Sequence, residues 1–135
     1  MAITLTSAAA DAMSTALNTY INSGGAAKLR IYGGSVPANP SASPSATVLA
    51  TFDLNTPNPF TSSGGVLTLA GVPKTVSASA GGTANHFRIL LNNGTTTVLQ
   101  GSVGTSGADL ILNTVTITSG VNVTITSGQI NVPTA

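Results

Sequence analysis

The spacing of apolar residues changes at Gly24-Gly25-Ala26-Ala27-Lys28-Leu29-Arg30-Ile31-Tyr32. Before this stretch, Met13, Leu17, Tyr20 and Ile21 recur at the spacing that places side chains on one face of a helix. After the two glycines, polar and apolar residues alternate, as they do along a half-buried strand. Because glycine often ends helices, the stretch predicts an N-terminal helix near residues 7–23, followed by strands.

The predicted helix has capping signals and two possible roles. Ser7 is the expected N-cap, and Asp11 suits the first turn. In one interpretation the apolar face covers an edge or an end of a sheet. In the other it docks into a partner, because helix-in-groove binding uses the same spacing.

Short segments of alternating polarity, separated by glycine, proline and asparagine, continue along the chain. We predict strands at Lys28–Tyr32, Val48–Leu54, Val66–Ala70, Lys74–Ser79, His86–Leu91, Thr96–Val103, Asp109–Leu112 and Val115–Thr118. The hexapeptide Val115–Gly120 recurs as Val123–Gly128, which predicts a strand and then a turn or bulge in each copy. Gln129–Val132 is the expected terminal strand.

This pattern predicts an all-β fold, an antiparallel β-sandwich of about eight short strands whose outer faces contact solvent. We expect residues 1–135 to form a single domain, with 1–25 as an N-terminal helical segment. Two proline-rich segments interrupt the strands. Gly33–Ala46 contains three regularly spaced prolines and is expected to be an extended, exposed loop. Pro57 and Pro59 precede Phe60, which we expect to anchor a loop in the core.

Charge is scarce in this chain. Charged residues make up 5% of it, against about 25% in an ordinary soluble domain, and the net charge is +1. Such a balance is too weak to attract nucleic acid or an anionic membrane, so we expect neither as a partner. The chain has no cysteine, and none of its apolar runs approaches the roughly 20 residues of a membrane-spanning helix.

Few residues suited to catalysis are present: Asp11, Asp53, Asp109 and His86. A pair of His86 and Asp109 with a serine would resemble a hydrolase site, but no Gly-x-Ser-x-Gly motif supports it. No cluster of histidine and carboxylate residues has metal-ligand spacing. We therefore expect no catalytic residue, no metal and no cofactor.

Three segments resemble a known family: Leu29-Arg30-Ile31-Tyr32-Gly33, Leu49-Ala50-Thr51-Phe52 and Gly101–Leu110 with the Thr/Val/Ile-rich tail that follows it. They resemble the capsid decoration (cement) proteins of tailed bacteriophages. The resemblance implies a jelly-roll-like β-sandwich on the outer surface of a virion. It also implies a protein, often dimeric, that clamps neighbouring major capsid subunits.

The leading expectation is a non-enzymatic virion protein that stabilises a capsid. The alternative is a tail-fibre or baseplate module that binds a host surface glycan. We expect self-association, most simply as a dimer, with Gln129–Val132 as the exposed edge. The expected partner contacts lie on the helix and in the proline loop: Met13, Leu17, Tyr20, Ile21, Val36, Pro37, Pro40 and Pro44.

Overall fold

The computed structural model describes residues 6–34, 47–56, 58–63 and 65–131. Within these ranges the chain forms a helix, α1 (Ser7–Ile21), and eleven strands. The strands are β1 (Lys28–Tyr32), β2 (Val48–Asp53), β3 (Phe60–Ser63), β4 (Val66–Leu69), β5 (Lys74–Ser77), β6 (Gly82–Thr83), β7 (His86–Leu90), β8 (Thr97–Gly104), β9 (Leu110–Leu112), β10 (Thr116–Ile117) and β11 (Asn122–Asn131).

The N-terminal helix is confirmed, but its cap differs from the prediction. Thr6, not Ser7, is the N-cap, and its Oγ1 accepts a hydrogen bond from the backbone N–H of Ala9 at 3.2 Å. The helix ends at Ile21, and Gly25 then adopts a φ of +109° as the chain turns into β1. Glycine adopts this positive φ without steric cost, which explains why a glycine lies where the apolar spacing changes from helical to strand-like.

Nine strands form a single curled sheet in the order β2-β1-β7-β8-β9-β11-β4-β3, with β5 also paired to β11. Neighbouring strands are antiparallel except β8 and β9, which are parallel. The sheet curls until β5 lies near β2, where the Ser79 N–H donates to the Leu49 carbonyl at 2.8 Å. The all-β, sandwich-like fold with an N-terminal helix is therefore confirmed, with mixed strand orientation.

Strand β11 pairs with three other strands. Asn122–Ile125 pair with β5 and Gln129–Asn131 with β4, while Ile125–Gly128 pair with β9 on the opposite edge, across a bulge. The second copy of the repeated hexapeptide and the predicted terminal strand thus form one continuous strand. Gln129–Asn131 pair with β4 on one side. On the other side the pairing with β9 ends at Gly128, and the Gln129 N–H donates to the Asp109 carbonyl at 3.0 Å. The expectation that Gln129–Val132 is an exposed edge therefore stays a prediction, and Val132 lies outside the described residues.

Strand β3 was not predicted. Phe60 is buried as expected, but it begins a strand that pairs with β4 over its whole length. The segment Phe60-Thr61-Ser62-Ser63 has one apolar residue and follows a proline, so local sequence signals favour a loop. The strand forms because it pairs with β4 and because α1 lies against it, where Asn18 accepts a hydrogen bond from the Phe60 N–H.

The core lies inside the curled sheet. It contains mainly leucine, isoleucine and phenylalanine from nearly every strand, together with Ile21 from the helix. The largest fully buried side chains from the strands include Leu29, Ile31, Phe52, Leu67, Ile89, Leu110, Leu112 and Ile125.

The position of Ile125 gives a test of this arrangement. Its side chain is fully buried, and its backbone lies between β5 and β9. We expect Ile125→Ala to lower the free energy of unfolding by about 2–5 kcal/mol, because the cavity adds to the lost transfer energy. Val121→Ala, at a side chain that is 56% exposed, should change it by less than about 0.5 kcal/mol. Urea denaturation followed by circular dichroism measures both, and equal losses would contradict the assignment of the core.

Candidate partner-binding surface

Helix α1 is fixed to the sheet through one face. Ala10, Ser14 and Ile21 are buried, and Leu17 packs partly buried against the core. These residues follow the spacing i, i+4, i+7, i+11, which places them on one side of the helix. The sequence predicts an apolar face of Met13, Leu17, Tyr20 and Ile21. The buried face contains Ser14 in place of Met13, and the sequence does not indicate this because Ser14 is polar.

Hydrogen bonds join this helix to β3. The Ser14 and Ser62 hydroxyl oxygens lie 2.6 Å apart, and Ser62 Oγ donates to Asp11 Oδ1 at 2.8 Å. Asn18 Oδ1 accepts from the backbone N–H of Phe60 at 3.0 Å. The helix therefore covers the outer edge of the sheet at β3, and it satisfies polar groups that an edge strand would otherwise expose.

A second face of the same helix remains exposed. We call the side chains of Ala9, Met13, Ala16 and Tyr20 the helix stripe; all four are exposed and share the spacing i, i+4, i+7, i+11. Met13 is 54% exposed and Tyr20 49%, and together with Val121 they are the large apolar side chains most open to solvent in the described part of the chain. The stripe lies about a quarter turn from the buried face, since successive residues are about 100° apart.

The structure thus divides the four helix residues expected to contact a partner. Met13 and Tyr20 lie on the helix stripe. Ile21 is fully buried in the core, and Leu17 is partly buried against it, so Ile21 is not available at the surface. One face of the helix covers a sheet edge, as the first interpretation expects, and a neighbouring face is open. Docking of that open face into a partner stays a prediction.

The other four expected contacts, Val36, Pro37, Pro40 and Pro44, lie outside the described residues. The start of that loop is held in place at Gly34, whose carbonyl accepts a hydrogen bond from the Asn85 side-chain N–H. The same Asn85 side chain contacts His86, since its Oδ1 lies 2.5 Å from His86 Nδ1.

His86 is a buried part of the sheet. Its side chain is 1% exposed and stacks on Tyr32, with ring centroids 5.1 Å apart. Because Asn85 Oδ1 can only accept, Nδ1 carries the proton, and Nε2 has no hydrogen-bond partner among the described residues. Burial lowers the pKa of His86, and the nearby charge of Arg88 lowers it further.

The burial of His86 extends to its neighbours, which the alternating pattern did not indicate. All five residues of β7 are buried, although alternation predicted one solvent-facing side. Arg88 is 3% exposed and donates through Nε to Gln100 Oε1 at 3.2 Å. Arg30 lies opposite Arg88 in the β1–β7 ladder, so this side of the sheet brings two guanidinium groups into register.

The residues of the considered hydrolase site do not form a catalytic relay in this geometry. Asp109 Oδ2 accepts from both the N–H and the hydroxyl of Ser102, each at 3.1 Å. His86 lies opposite Ser102 in the β7–β8 ladder, but its Nδ1 contacts Asn85 rather than Asp109. A serine nucleophile would need the imidazole to accept its proton and the carboxylate to orient that imidazole.

The other two carboxylates also serve structural contacts. Asp53 forms an ion pair with Lys28 at 2.6 Å across β1 and β2, and Asp11 accepts from Ser62. The described residues include no group of three or more potential metal ligands. In the same part of the chain, none of the helical structure is long and apolar enough to cross a membrane.

The buried imidazole predicts a pH dependence of stability. Because the pKa of His86 is lowered in the folded chain, the unfolded chain binds this proton more readily. The free energy of unfolding should therefore fall as the pH decreases below about 6.5, the ordinary pKa of histidine. His86→Phe keeps a ring against Tyr32 and removes the titration, so its stability should vary less between about pH 5 and 7. Urea denaturation at several pH values measures both slopes, and equal slopes would contradict this role of His86.

Comparisons with protein-family models, with curated proteins and with solved structures gave no match. The resemblance to decoration proteins therefore rests on the sequence segments quoted for it. What the chain does has to be argued from the geometry of its own residues.

Proposed function

We propose that this chain is a non-enzymatic structural protein that decorates a bacteriophage capsid and bridges major capsid subunits. The observation that carries the proposal is the helix stripe, an exposed apolar face on a helix that is itself fixed to the sheet. Exposed apolar patches on an ordered scaffold are typical of protein interaction sites.

The charge distribution supports a protein partner over an ionic one. The stripe contains no charged residue, and the single carboxylate of α1, on Asp11, accepts a hydrogen bond from Ser62. A contact of this kind depends little on salt, because screening weakens interactions between charges. The three carboxylates of the chain make structural contacts, which fits a role in binding rather than in acid–base chemistry.

The helix stripe is small, which favours a protein that binds through more than one contact at a time. A standard stable interface uses roughly 20–30 residues on each side, far more than four side chains. One stripe alone would bind weakly. A protein present in many copies on a regular shell, with a second contact on a neighbouring subunit, gains from the high effective concentration of the second site.

Self-association remains a prediction. Its sequence basis is an exposed terminal strand; the described end of that strand pairs with β4 on one side, while its pairing with β9 ends at Gly128. The outer edges of the sheet, β2 and β3, are contacted by the chain around Ser79 and by α1.

A binding experiment on purified particles tests the proposal. The wild-type chain, mixed with separated empty heads and tails of the phage that encodes it, should sediment with the heads. Met13→Ser/Tyr20→Ser should weaken this binding at least about tenfold, since each substitution removes apolar contact area. Val121→Ser, at an equally exposed apolar residue outside the helix, is the matched control and should bind as the wild type does.

Three results would contradict the proposal. Sedimentation with tails would favour the glycan-binding alternative. Binding to neither heads nor tails would contradict a role in the virion. Equal binding of the double variant and the wild type would show that the helix stripe is not the contact.

A further inference from the structure

Side chains of two sizes alternate along the helix stripe. In the order Ala9, Met13, Ala16 and Tyr20, a small side chain is followed by a large one twice. The steps between these residues are four, three and four, and this order is the same in both directions along the helix. The stripe therefore has the same spacing when it is followed from either end, with small and large positions exchanged.

This symmetry makes the stripe complementary to a second copy of itself that runs in the opposite direction. If two such helices lie side by side, Ala9 of one copy lies opposite Tyr20 of the other, and Met13 lies opposite Ala16. Each large side chain then meets an alanine, which leaves space for it between the helices. Contact of one surface with itself about a two-fold axis is also the commonest arrangement in homo-oligomers.

Other arrangements of the two helices fit less well. A parallel pair would place Tyr20 against Tyr20 and Ala9 against Ala9, so one end of the contact would be crowded and the other would contain a void. Shifting the antiparallel pair by one turn would place Met13 opposite Tyr20, or Ala9 opposite Ala16. Because voids and crowded contacts both weaken packing, the stripe selects one orientation and one register.

The charge distribution of α1 also favours an antiparallel neighbour. The first turn of the helix has no acidic residue and its last turn has no basic residue, so charged side chains do not compensate the partial charges of its two ends. An antiparallel helix places its negative end beside the positive end of α1, and the reverse at the other end. Like charges would not meet, because Asp11, the single charged residue of α1, accepts a hydrogen bond from Ser62 of β3.

The surface beside the stripe leaves space for a second helix. Ala8, Ala12 and Thr19 border the stripe on the side away from the buried face, since successive residues are about 100° apart. All three are exposed, short and uncharged. The opposite side of the helix is fixed to β3, so pairing through the stripe requires no opening of the fold.

We propose that two copies of this chain pair through the helix stripe as an antiparallel, two-fold symmetric dimer. A helix of 15 residues is about 22 Å long and about 10 Å wide, so this contact is smaller than the roughly 1,200 Å² of a stable interface. We therefore expect a weak dimer, with a dissociation constant on the order of 0.1 mM. The pairing does not depend on the proposed capsid role. Where that role holds, a second copy and a capsid subunit compete for the stripe.

Sedimentation equilibrium of the purified chain, from about 10 µM to about 1 mM and without phage particles, measures the pairing. We expect the average mass to rise from that of one chain towards that of two. Ala16→Gln should weaken pairing at least about fivefold, because it buries an amide without a partner opposite Met13. Ala8→Gln places the same side chain on the same helix outside the stripe, and this matched control should pair as the wild type does. Both alanines are exposed and glutamine is a good helix former, so circular dichroism should show an unchanged helix.

Disulfide trapping tests the orientation of the two helices. The chain has no cysteine, so introduced thiols are the only ones present. In the antiparallel register, position 9 of one copy lies opposite position 20 of the other, whereas the two copies of position 9 lie about 16 Å apart along the helix axis, too far for a disulfide. Ala9→Cys and Tyr20→Cys chains should therefore cross-link to each other when mixed and mildly oxidised, and neither should cross-link to itself.

Three results would overturn the proposal. A chain that stays monomeric at about 1 mM would exclude the dimer. Equal pairing of the Ala16→Gln and Ala8→Gln variants would show that the stripe is not the contact. Cross-linking of either cysteine variant to itself, without cross-linking between the two, would show a parallel pair. Capsids are absent from all of these measurements, so a failure here is distinct from a failure to bind heads.

Discussion

The pairing of β11 with three other strands is the constraint on which the rest of the structure depends. Its backbone joins β9 on one edge to β5 and β4 on the other, and buried strand backbone has to be paired in this way. Through β4 it positions β3, and β3 in turn supports helix α1. Through β9 it also joins β8 to the rest of the sheet. The position of α1, and with it that of the helix stripe, therefore depends on one ten-residue strand.

The few carboxylates of this charge-poor chain all make contacts within the fold. Asp11 fixes the helix to β3, Asp53 pairs with Lys28, and Asp109 spans the gap between two strands. Most of the remaining polar contacts are made by hydroxyl and amide side chains, as between Ser14 and Ser62. Such groups join elements without leaving strong charges at the surface. What remains exposed and distinctive is apolar, which is why we place the partner contact on the helix.

Periodicity predicted the helix and most of the strands because these features are local. Periodicity does not predict three other features. Strand β3 has a polar sequence and exists because β4 and α1 lie on either side of it. The buried side of the helix includes Ser14, whose burial requires a hydroxyl group supplied by a distant strand. The second repeat copy predicts a turn or bulge after its strand; β11 has a bulge between Ile125 and Ser127 and continues through Gly128, where a Cβ would lie 3.0 Å from Leu110.

Native-state hydrogen exchange tests the central claim, that α1 is held to a sheet organised by β11. The account predicts that the amides of Val123 and Ile125 in β11 exchange only through global unfolding. It predicts nearly the same protection for Leu17 and Ile21 in the second half of α1, because this part of the helix is packed against the core. Helix amides that exchange orders of magnitude faster than those of β11 would contradict the account, since they would show that the helix opens independently of the sheet.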